Sequence, residues 1–184
     1  MFSMKDYEFN FVQALDKENI YLFCENKSKK PFVIINHTDY NKEYVEENKL
    51  QTIQPSHAGG TLVLFPGDQA ITWISSTSIL TEVLDGIVKY FNSIDIKATL
   101  DGNDVMLDNN KLFGTMSYEI GNRYYEGMFL SYTIDIEIIK NVCTKEMKKV
   151  PLGLNDLNVN KKELNQIILD ILKENNINEF GGEA

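Results

Sequence analysis

The chain has 184 residues and a formal net charge of −9. That length suits one domain with a sizeable core, and 43% apolar with 24% charged residues is the composition of a soluble globular protein. The acidic balance excludes a general nucleic-acid binder or a protein of anionic membranes, both of which need a basic footprint.

Two cysteines, Cys24 and Cys143, lie far apart without metal-ligand spacing, as expected for reduced thiols. No apolar run approaches the ~18 residues of a membrane span, and the N-terminus lacks a signal-peptide h-region. The expectation is a single cytoplasmic domain over 1–184 with no membrane association.

Residues 6–17 read as a helix with Phe9, Val12, Phe11 and Leu15 as its apolar face. Strands follow at 20–24 and 32–35, separated by a polar loop. A short helix is expected at 41–47 and a weak strand at 50–53. Pro55-Ser56-His57-Ala58-Gly59-Gly60-Thr61 is a small-residue turn that feeds a strand at 62–65. The paired glycines let the backbone pass close to a ligand or a neighbouring strand. Pro66-Gly67-Asp68 is a turn signal, and 69–74 returns as a strand.

Residues 75–91 carry the clearest helical stripe, with Ser76 or Thr77 as the expected cap. A strand at 95–100 leads into Asp101–Thr115. Here Val105–Leu107, a turn at Asp108-Asn109-Asn110 and a return strand from Lys111 form a hairpin. This brings the acceptors Asn103 and Asp104 near Lys111, and Gly114 in the return strand marks a close approach. Oxygen ligands beside a lysine suit Mg²⁺ and a nucleotide phosphate, and equally an ordinary solvated hairpin. A turn at 121–123, a strand at 125–134, a helix from 135 and a last helix opened by Asn160 with Glu163 complete the chain. Eight or nine strands, mostly joined as hairpins, with a central and terminal helices give an α+β class: a mixed, largely antiparallel sheet flanked by helices.

The order of these pieces resembles the catalytic domain shared by lipoate–protein ligases, octanoyltransferases and biotin–protein ligases, and most closely the lipoate–protein ligase A type. Phe32-Val33-Ile34-Ile35-Asn36 is similar to the family's Val-Val-Ile-Gly strand, and Ala58-Gly59-Gly60-Thr61-Leu62-Val63 to its glycine run. Asn103-Asp104-Val105 is similar to its Asn-Asp-Leu, Lys111-Leu112-Phe113-Gly114-Thr115 to its Lys-Ile-x-Gly-Ser, and Gly127–Leu130 to its His-Gly-Thr-Leu strand.

The resemblance implies ATP- and Mg²⁺-dependent activation of lipoate or a related acid as an acyl-adenylate, then transfer to a lysine of a lipoyl-type carrier domain. Lys111 is then the essential lysine, since a cation beside the reacting oxygens stabilises developing charge. Asn103 and Asp104 would hold metal and phosphate. Gly59, Gly60, His57, Gly114 and Thr115 would bind substrate. The acyl slot is expected around Leu62, Phe65 and Trp73.

Three departures stand out. Gln54-Pro55 replaces the family's arginine pair, and His57 stands at a family serine. Glu126 replaces a histidine, where its charge is expected to repel phosphate. No C-terminal accessory domain is expected. Two other readings follow from these departures: a degenerate binding protein on the same fold, or an ATP-independent octanoyltransferase. The latter needs Cys143 as nucleophile, and Cys143 lacks the expected flanks and a nearby base.

Overall fold

A computed structural model describes residues 1–3, 6, 13–35, 39–54 and 60–181. Residues 7–12, half of the expected first helix, lie outside them. Among the described residues there are twelve strands: β1 Phe2–Ser3, β2 Ile20–Glu25, β3 Phe32–Ile34, β4 Gln51–Ile53, β5 Leu62–Leu64, β6 Gln69–Ser75, β7 Ala98–Asp101, β8 Asp104–Leu107, β9 Asn110–Ile120, β10 Arg123–Leu130, β11 Val150–Pro151 and β12 Asn178–Glu179. The α-helices are α1 Lys42–Glu47, α2 Leu80–Ser93, α3 Ile136–Val142 and α4 Lys161–Glu174.

A nine-stranded sheet runs β1-β2-β6-β10-β9-β8-β7, with β11 beside β9 and β12 beside β2. Its long neighbours are antiparallel, and the short strands β1, β11 and β12 pair in parallel. This is the mixed, largely antiparallel α+β class expected from the sequence. Strands β4-β3-β5 form a second, three-stranded sheet.

The layers follow from alternation along the strands, because successive side chains point to opposite faces. In β6, Ile71 and Trp73 pack toward α2 and α4, beside Val83, Ile87, Leu164 and Ile168. Ala70 and Ile74 of the same strand pack the other way, with Phe32, Ile34 and Leu64 of the small sheet. The small sheet's outer face, Val33 and Val63, meets Val45 of α1 and Val142 of α3. Gly86 lets α2 and α4 touch, since a Cβ there would run into Ile171 Cδ1.

Helix α2 begins later than the sequence suggests, because Ser75 ends β6 and neither Ser76 nor Thr77 caps the helix. Its first amides are held by Glu126 of β10, whose Oε2 accepts from Ile79 N at 3.0 Å and Leu80 N at 3.2 Å. The other helices use local caps. Asn160 Oδ1 accepts from Lys162 N at 3.0 Å in α4, and Asp135 Oδ1 from Glu137 N at 3.0 Å in α3.

Candidate active site

The hairpin of β8 and β9 turns at Asp108, whose φ of 53° puts it in the left-handed region that Asp and Asn tolerate. Gly102, at φ 60°, turns β7 into β8. These two turns set Asp101, Asp104 and Lys111 at one end of the large sheet. Lys111 Nζ lies 2.6 Å from Asp104 Oδ1. Asp104 Oδ2 is 2.8 Å from Lys149 Nζ, which also reaches Asp101 Oδ2 at 2.7 Å.

Strand β9 carries an irregularity. Val105 pairs with Phe113, but Met106 pairs with Lys111, which leaves Leu112 as an extra residue. In a regular strand Lys111 and Gly114 would point to opposite faces. The bulge turns Lys111 onto the face of Gly114, where a Cβ on Gly114 would lie 3.7 Å from both Cε and Nζ of Lys111. Gly114 thus clears the space that the lysine occupies.

That space opens into a cavity of about 270 Å³. Leu62, Val63, Leu112, Phe113 and Ile134 give it an apolar wall. Lys111, Lys145 and Lys149 supply cations, Asp39 and Glu146 supply carboxylates, and Gly60 and Gly114 supply backbone. A mostly apolar slot with charge confined to a few residues suits a small molecule with an apolar body and an anionic head.

Burial pushes the Asp104 carboxyl up, but hydrogen bonds from Lys111 and Lys149, and their charges, outweigh it and hold its pKa below the ordinary value. Asp101 and Asp104 hold the Lys149 ammonium above its ordinary value. Among the described residues, no cluster of three or more His, Cys, Asp and Glu side chains could hold a metal ion. A cation here would depend on Asp104 and on oxygens brought by a ligand.

Of the residues singled out from sequence, Lys111, Asp104, Gly114 and Gly60 meet at or beside the cavity. Asn103 is exposed in the turn, and its carbonyl accepts from Thr115 Oγ1 at 2.7 Å, so Thr115 pins the turn. His57 and Gly59 lie outside the described residues.

The acyl slot differs from the one expected. Leu62 lines the cavity, but Phe65 packs behind it with Val45 and Val142, and Trp73 is buried on the helix side. Glu126 does not face the cavity either. It is fully buried, and its carboxyl accepts from Trp73 Nε1 at 3.0 Å and Ser117 Oγ at 3.2 Å as well as from Ser78 and the two α2 amides. Alternation along β10 turns it toward the helices, away from Gly127 and the cavity face.

Lys149 joins this cluster from a separate segment of the chain. Its approach is made by backbone: β11 pairs Pro151 with Lys111, and Leu152 N donates to Lys111 O at 3.0 Å.

Cys143 borders the cavity, and its thiol points to Thr61 O at 3.7 Å. Burial, then the Asp39 charge, push its pKa up. Cys24 is fully buried, with its pKa pushed up to about 12 by burial foremost. Neither has the lowered pKa of an activated thiol.

No protein-family model matches the sequence, nor does any curated protein. Solved structures match by shape. A lipoate-protein ligase A bound with ATP aligns at a TM-score of 0.71 and 15% identity, over 96% of this chain and 81% of its own. The bi-partite lipoate protein ligase of Thermoplasma acidophilum aligns at 0.72 and 14% identity, over 96% and 79%. P. falciparum LipL1 in complex with lipoate aligns at 0.68 and 15% identity, covering 91% of this chain, which spans about half (53%) of that protein. At such identities the likeness is one of fold, and the chain carries the catalytic-domain fold of the lipoate–protein ligases.

Proposed function

We propose that the chain activates a lipoyl or related acyl carboxylate with ATP and passes the acyl group to a lysine of a lipoyl-type carrier domain. The observation that carries this reading is Lys111, turned by the bulge at Leu112 onto the cavity face beside Gly114. The fold supports it, as do neighbours solved with lipoate and with ATP. Another neighbour is described as a ligase with its E2 lipoyl domain, which supports a carrier domain as acceptor.

In this reading the acid's apolar body lies against Leu62, Val63 and Ile134, and its carboxylate faces Lys111. A carboxylate oxygen attacks the α-phosphorus of ATP and pyrophosphate leaves. Lys111 neutralises charge that builds on the reacting oxygens. The carrier's neutral lysine amine then attacks the acyl carbon, an amide bond forms, and AMP leaves with the bonding electron pair. Magnesium, held by Asp104 with the nucleotide's phosphates, would neutralise phosphate charge. One carboxylate plus substrate phosphates is a usual magnesium set, and an Asp104 held in its ionised form suits it.

The test is transfer. Protein, lipoate, ATP, Mg²⁺ and a lipoyl carrier domain are incubated, and the carrier is examined by intact mass and peptide mapping. Acylation of one carrier lysine that needs both ATP and lipoate supports the reading. A second reading, a binding protein without turnover, is favoured by Gln54, which is exposed and uncharged where the resemblance implies an arginine. Lipoate binding without transfer would support it.

A further inference from the structure

We infer that Lys149 is a second nucleotide-binding residue, paired with Lys111 across Asp104 and drawn onto the phosphates when the nucleotide enters. This rests on the proposed adenylate-forming activity and extends it to a residue on a different segment of the chain.

Three observations carry the inference. First, the position of Lys149 is built by backbone pairing: β11 lies parallel to β9 with Val150 opposite Asn110 and Pro151 opposite Lys111, so Lys149, which leads into β11, is held at the hairpin's turn, where its ammonium reaches Asp104. Second, both ammonium groups share one carboxyl, Lys111 at 2.6 Å on one oxygen and Lys149 at 2.8 Å on the other. All three side chains are about a quarter to a third exposed, so the cluster is neither sealed nor free on the surface. Third, both lysines border the same cavity.

An apolar acyl chain needs no cation, and a single carboxylate head is matched by one. Two ammonium groups on one carboxyl fit a ligand with several adjacent anionic oxygens, which a polyphosphate supplies. Asp101, whose Oδ2 lies 2.7 Å from Lys149 Nζ, gives that lysine a carboxylate partner that Lys111 lacks. Lys149 therefore stays oriented when Asp104 turns to a hard cation. Lys145 borders the cavity too, but is exposed and has no ion pair among the described residues.

The experiment measures the KM values for ATP and for lipoate in ATP–pyrophosphate exchange, with ATP affinity by calorimetry and melting temperature as a fold check. It compares wild type, K149A, K149M and K149R. One charge-assisted phosphate contact corresponds to roughly a 10- to 150-fold change. K149A and K149M are expected to raise the KM for ATP by that factor and leave the KM for lipoate within about twofold, with K149R recovering most of the loss. K149M keeps the apolar stem, so a folding defect confined to K149A is told apart.

An unchanged KM for ATP in folded K149A or K149M overturns the inference. Lys149 is then a staple between β11 and the hairpin, and the proposed activity stands on the wild-type exchange. Neither exchange nor ATP binding by folded wild type overturns both.

Discussion

Lys111 and Gly114 stand on the same face of β9, although their spacing in a regular strand would separate them. The extra residue at Leu112 makes the difference, and it places the ammonium 3.7 Å from where a side chain on Gly114 would begin. Everything proposed for the cavity depends on that geometry.

Substitution of Gly114 tests it. Gly114→Ala adds a methyl at ordinary contact distance from Lys111 and is expected to lower exchange only a few-fold. Gly114→Val puts branched carbons into the lysine's path and is expected to lower it roughly 100-fold or more, since small misplacements are costly in a reacting site. Steady-state exchange with a melting curve for each variant checks this. Equal activity in Gly114→Val and wild type would show that Lys111 does not need the space.

Glu126 binds five donors from three elements of the fold, and the N-cap residue of α2, Ile79, makes no side-chain cap bond of its own. Glu126→Ala leaves Trp73 Nε1 and two helix amides without partners. The expected loss is roughly 2–4 kcal/mol by urea unfolding, from a lost cap and unsatisfied buried donors. A change below about 1 kcal/mol would show that the network is dispensable.

Asp68 governs a pH effect of the opposite sign to Asp104. Burial pushes the Asp68 pKa up to about 6, against hydrogen bonds from Phe65, Tyr132 and Thr133 amides and the nearby Lys161 charge. The folded state thus holds the proton more tightly than the unfolded chain, where the ordinary value is 3.8. This contribution is fully present below about pH 4 and is lost as pH rises through about 6, roughly 3 kcal/mol over the window. Asp104, with its pKa lowered in the fold, stabilises above the ordinary carboxylate range and loses that as pH falls. Asp68→Asn is expected to remove the decline between pH 4 and 6, read as the slope of urea-derived stability against pH. An unchanged slope would refute a raised pKa at Asp68.

Cys143 is expected to be a slow thiol, because burial and Asp39 disfavour its thiolate. Cys143→Ser should keep exchange within about threefold of wild type. Intact mass after exposure to an octanoyl-loaded carrier should show no adduct. A covalent acyl group on Cys143 would point to the ATP-independent transferase instead.

The sequence made the hairpin legible because its turns are written locally, in Gly102 and in Asp108-Asn109. With the hairpin came the nearness of Asp104 and Lys111. What it hid is non-local. The bulge at Leu112 leaves no residue signature, since Leu and Phe fit either face of a buried strand. Helix α2 starts later than its Ser and Thr residues suggest because its cap arrives from Glu126, 46 residues beyond Leu80. The same distance effect made Glu126 look like a repulsive charge in the site. Trp73 looked like a wall of the acyl slot, but the alternation of β6 turns it to the helices. Lys149 needed the parallel pairing of β11 with β9, which two residues cannot announce.

The most direct measurement is lipoate-dependent ATP–pyrophosphate exchange by the purified protein with Mg²⁺, run beside Lys111→Ala. Exchange by wild type that falls roughly 100-fold or more in a Lys111→Ala variant of unchanged melting temperature is the expected result. No exchange from folded wild type with lipoate, octanoate or biotin, or undiminished exchange in Lys111→Ala, would contradict adenylate chemistry at Lys111.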